Sequence, residues 1–134
     1  MDTDSVRFLN PPTLATPPGY THVVTVTNAR MIYIAGQVAL DPAGNLVGHG
    51  DFRAQARQVF ENIKAALEAV GAGFDDVIKL NIYLMDMAHL VALREIRDAY
   101  VNTQRPPAST AVQVSRLARE EFLLEIEAVA ASPL

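Results

Sequence analysis

The sequence predicts an α+β fold of two layers, and three observations carry that prediction. Two segments place apolar residues at helical spacing. Five segments alternate or run apolar over strand-like lengths. The two kinds interleave in the order β-β-α-β-α-β-β, so two helices can cover one hydrophobic sheet.

The first twenty residues are rich in Pro, Thr and Asn. Pro11-Pro12 and Pro17-Pro18-Gly19 favour an extended, turning path, with Val6, Phe8 and Leu9 as a short edge strand. Residues 21–27 read as a strand with His22, Val24 and Val26 on one face. Residues 31–37 read as its hairpin partner across an Asn28-Ala29-Arg30 turn. Asp41-Pro42-Ala43-Gly44-Asn45 is a strong turn signal.

Asp51 is a good N-cap for the clearest helix. Phe52, Ala56, Val59, Phe60, Ile63, Leu67 and Val70 make one apolar stripe, and Gly71-Ala72-Gly73 stops it. Residues 77–85 alternate as a strand with Ile78, Leu80, Ile82 and Leu84 on one face. Asp86 caps a second helix over about residues 88–101, which Arg105-Pro106-Pro107 ends. Residues 109–114 and 122–131 are the last two strands. Val112 and Val114 belong to strands with apolar groups on both faces, so a second copy of the chain is the expected cover.

The chain has 134 residues, which fits a single domain over residues 1–134, with 1–19 as a Pro-rich lead. That length buries roughly two-thirds of the unfolded surface without staples. The absence of cysteine excludes disulfides, Cys-type zinc sites and thiol catalysis. A net charge of −4 disfavours nucleic-acid binding, which needs a basic face. No apolar run reaches the roughly 20 residues of a membrane helix. The start, Met1-Asp2-Thr3-Asp4, lacks the basic and apolar regions of a signal peptide, so a cytoplasmic protein is expected.

Glu125 and Glu127 stand two apart in an apolar strand, which puts both carboxylates on one face. Apolar surroundings penalise a carboxylate's charged form and suit it to acid/base work; the same spacing also suits a solvated strand face. His22, His49 and His89 share no metal-ligand spacing, so no metal is expected. No serine sits in a G-x-S-x-G elbow, and Gly71-Ala72-Gly73 lacks the context of a dinucleotide loop. Tyr20 reads first as an amphipathic surface anchor.

These residues also resemble a known pattern. Pro107-Ala108-Ser109-Thr110-Ala111-Val112-Gln113-Val114, followed by Leu124-Glu125-Ile126-Glu127-Ala128-Val129-Ala130, is similar to the C-terminal signature of the Rid family. These are the reactive intermediate deaminases, also called endoribonuclease L-PSP-like proteins. Gly19-Tyr20-Thr21-His22, Ala35-Gly36-Gln37, the segment 55–63, Val77-Ile78-Lys79-Leu80 and Leu84-Met85-Asp86-Met87 match in order. The resemblance implies the α+β sandwich of the Bacillus-type chorismate mutase, with a mixed sheet and both helices on one face. It implies a homotrimer with clefts between subunits, and hydrolysis of enamines or imines without metal or organic cofactor.

Carried over by position, the resemblance makes Glu125 the water-positioning residue and Tyr20 and Gly36 cleft residues. The family's carboxylate-clamping arginine falls on Ser109, which offers no positive fork. This places the chain with members that lack that arginine. Arg94, Arg105 and His22 are candidates to replace it, with Arg94 the one that aligns near the cleft. The favoured reading is a cofactor-free hydrolase acting on a small reactive metabolite. The alternative is a trimer that binds a small molecule without chemistry, and ribonuclease activity ranks below both.

Overall fold

The structure is a computed structural model that describes residues 5–134; the acidic start at residues 1–4 lies outside the described residues. Two sheets form. Strands β1 (Val6–Leu9) and β2 (Val23–Val26) make an antiparallel ribbon. Strands β3 (Ala29–Gln37), β4 (Val77–Leu84), β5 (Ala108–Gln113) and β6 (Leu124–Pro133) make a mixed sheet in the order β3-β6-β4-β5. β4 and β5 run parallel, and β6 runs antiparallel to both its neighbours.

The predicted hairpin between residues 21–27 and 31–37 does not form. β2 pairs with β1 instead, while β3 pairs with β6. The connection at Asn28, in the left-handed region at φ 57°, carries the chain from one sheet to the other. The long-range pairing wins because β6 offers nine residues of β3 an apolar partner of matching length, where β2 offers four.

Helix α1 (Phe52–Ala69) starts where the Asp51 carboxylate accepts from the Ala54 amide at 3.1 Å. It ends where Gly71, at φ +72°, lets Ala72 donate back to the Leu67 carbonyl at 2.9 Å. Asp86 caps a 3-10 turn (Met87–His89), and helix α2 (Leu90–Arg97) follows, shorter than predicted at both ends. The apolar stripe of α1 packs on β3 and β6. Val59, Phe60, Ile63 and Leu67 meet Leu80, Ile82, Leu84, Leu124 and Ile126 in one core, all with almost no exposure. Gln55 is fully buried there, and its amide closes three bonds: donors to the Gly48 and Glu121 carbonyls and acceptor from the Leu123 amide.

The other face of the sheet carries Met31, Tyr33, Tyr83, Val112, Glu125 and Glu127, by register. Tyr33 is 76% exposed, and Met31 and Val112 are also exposed. Among the described residues, no helix is long and apolar enough to cross a membrane.

Candidate functional site

The sheet has two edges, and each carries part of the candidate site. At the β5 edge, on the helix side, lies a cavity of about 140 Å³. Its polar lining is Tyr20, Arg94, Arg97 and Ser109. Its apolar lining is Ile82, Leu90, Leu93 and Ala111. Tyr20 arrives because Thr21 ties the N-terminal loop to the segment before β5. The Thr21 amide donates to the Pro107 carbonyl at 3.2 Å, and its hydroxyl donates to the Pro106 carbonyl. Arg94 and Arg97 come three residues apart from the last turn of α2, whose negative dipole end favours cations.

Arg97 is only 6% exposed. Its Nε donates to Asp98 Oδ1 at 3.0 Å, and its Nη2 forms an ion pair with the same oxygen at 3.0 Å. Such a group is costly to bury unless paired, and Asp98 supplies that pairing from a half-exposed position.

On the opposite face, nearer the β3 edge, Glu125 meets Gly36. The β3–β6 register shifts between Ile34 and Gln37, and this bulge turns Gly36 toward the Glu125 side chain. A Cβ on Gly36 would lie 1.9 Å from Glu125 Oε2, so the carboxylate occupies the space glycine leaves. Beside it the Tyr83 hydroxyl donates to Glu127 Oε1 at 2.7 Å. That bond, then burial, then the charges of Glu127 and Glu125, push the Tyr83 phenol above its ordinary pKa. Glu127 is therefore engaged, while Glu125 has no hydrogen-bond or ion-pair partner among the described residues. Gly36 and Gln37 also line an open hollow with Asn62 and Asp41 at the β3 edge.

The structure thus brings Tyr20, Arg94 and Ser109 into one cavity and puts Glu125 against Gly36 elsewhere. Within one chain the two groups lie on opposite faces of the sheet. His22 turns to the N-terminal loop, where its Nε2 pairs with the Ala15 carbonyl at 2.6 Å. Arg105 lines neither hollow. Arg97 was missed by sequence reasoning. Its signal was present: Leu90, Leu93 and Arg97 follow i, i+3, i+7 spacing, which sets the arginine on the apolar stripe. Among the described residues, no three His, Cys, Asp or Glu side chains gather as a metal site.

A two-layer α+β chain with an exposed sheet face and polar hollows at both sheet edges has the chorismate mutase-like fold of the Rid proteins. The chain belongs to the family described as Endoribonuclease L-PSP, whose model matches residues 12–132. It is 45% identical over 101 residues to a RutC family protein of Pyrococcus horikoshii, covering 75% of this chain and 79% of that one. It is 32% identical over 124 residues to a 2-iminobutanoate/2-iminopropanoate deaminase of Dermatophagoides farinae, covering 92% and 94%. The crystal structure of the Rid-family protein YyfB from Yersinia pestis superposes with a TM-score of 0.85 at 36% identity, over 95% of this chain and 98% of that one.

Proposed function

We propose that the protein is a cofactor-free hydrolase of small imines or enamines, with Glu125 positioning the attacking water. The observation that carries this reading is the unengaged Glu125 carboxylate held over the Cβ-less Gly36. The name of the Dermatophagoides farinae relative supports the reaction class. In that reaction water adds across C=N. Glu125 takes a proton from the water as its oxygen bonds the imine carbon, and hands that proton on to the imine nitrogen to give a neutral carbinolamine. The carbinolamine then expels ammonia and leaves a carbonyl product.

The working assembly in this reading is a homotrimer. The β5 edge of one subunit meets the β3 edge of the next, so Tyr20 and Ser109 face Glu125 and Gly36 across an intersubunit cleft. The exposed Met31, Tyr33 and Val112 support it, because such a face calls for an apolar cover.

The test generates imines in situ with an amino-acid oxidase and follows ammonia release, with light scattering reporting the assembly. Glu125→Gln is expected to lower the rate by about 100-fold or more with an unchanged melting temperature. Absence of turnover by the wild type across neutral and acidic imines overturns the reading. Stabilisation by compounds recovered unchanged then favours the alternative, a binding trimer without chemistry.

A further inference from the structure

We propose that Arg97 anchors an anionic ligand in the β5-edge cavity, supplying from helix α2 the positive fork that Ser109 cannot offer. The inference rests on the reading of this cavity as the ligand-binding half of the cleft. The guanidinium is nine-tenths buried and lines a cavity, and the single Asp98 oxygen on its Nε edge leaves the rest of the fork open to a second anion. Asp98 engages Nε and Nη2 and fixes the plane of the group. Nη1 has no hydrogen-bond partner among the described residues, and it is not among the atoms sealed from solvent without one.

The loop in front is shaped around this side chain. Gly19 sits at φ +89°, and a Cβ there would lie 2.7 Å from Arg97 Nη2. Glycine lets the loop close on the guanidinium and set Tyr20 beside it. Ser109 and Tyr20 add hydroxyl donors, and no carboxylate lines the cavity. Charge then selects the ligand. Asp98 cancels one positive charge, and Arg94 has no ion-pair partner among the described residues, so one positive charge stays uncompensated. Ile82, Leu90 and Leu93 supply an apolar floor. The occupant is a monocarboxylate with a short aliphatic tail, its carboxylate on Arg97.

The experiment measures binding of 2-oxobutanoate and of its uncharged methyl ester to the full chain by titration calorimetry. The wild type is expected to bind the acid at least tenfold more tightly than the ester. Arg97→Gln is expected to erase that preference, and Ser109→Arg added to it to restore it. Retention of the preference by Arg97→Gln overturns the proposal. Equal affinity for acid and ester in the wild type overturns it as well, and needs no variant to fold. Glu125→Gln separates the two readings, because it is expected to lose turnover and keep the acid preference. A wild type with that preference and no turnover overturns the hydrolase alone.

Discussion

Gly36→Ala tests the site with one methyl group. Gly36 is not among the glycines at positive φ, so alanine fits its backbone. The added Cβ would lie 1.9 Å from Glu125 Oε2 and 2.8 Å from its carboxyl carbon. Ordinary contact begins near 3.4 Å, so the carboxylate must retreat by about 1.5 Å. The obstacle is the free end of a side chain, which can swing aside. Leaving its rotamer costs about 0.5–1.5 kcal/mol. The stiffer unfolded chain returns about 0.4–1 kcal/mol. Net stability should change by less than about 1 kcal/mol, a melting shift within about 4 °C. Catalysis should respond far more. Misplacing a positioning group by about 1 Å can cost about 100-fold, equivalent to about 2.7 kcal/mol of barrier. The assay is ammonia release from imines generated in situ, beside a thermal melt. Wild-type turnover in Gly36→Ala refutes the role given to the Glu125 position. A loss of more than about 3 kcal/mol of stability refutes the claim that only the carboxylate moves.

Gln55→Ala is expected to destabilise by about 3 kcal/mol or more, because it orphans the Gly48 and Glu121 carbonyls and the Leu123 amide; urea unfolding reads this directly. The Tyr100 phenol, desolvated by burial and bonded to Glu61 at 2.7 Å, is pushed up to about 12. Its folded pKa lies above the ordinary value of about 10, so its stabilisation is complete below pH 10 and is lost as pH rises toward 12. Absorbance titration at 295 nm should show late tyrosine ionisation that shrinks in Tyr100→Phe and leaves the raised Tyr83 contribution.

The layers of this fold were legible because they rest on local rules. The α1 stripe, the Asp51 cap and the Gly71 stop each depend on neighbours within two turns. Strand alternation likewise put Glu125 and Glu127 on one face before any partner strand was known. Strand pairing was less legible. The segment 31–37 carries the same alternation whether it meets β2 or β6, and only the competition for a long apolar partner decides. The site divides in the same way. Glu125, Tyr20, Gly36 and Ser109 became candidates through the family resemblance of their motifs. Contact between Gly36 and the Glu125 carboxylate required the β3 bulge, a feature of register between strands nearly ninety residues apart.

By itself, then, the sequence determined the element types, the capping residues and the family, since these depend on short-range pattern. Only the tertiary structure decided where charge sits. Arg97 lies twelve positions before Ser109, and its sequence position gives no hint that the two share a cavity. They meet because α2 leads through the Pro106-Pro107 turn into β5, which returns parallel to β4 beneath that helix. The helical spacing of Leu90, Leu93 and Arg97 turns the guanidinium inward, but the cavity it meets there is made by everything packed around it, which no local window of residues contains.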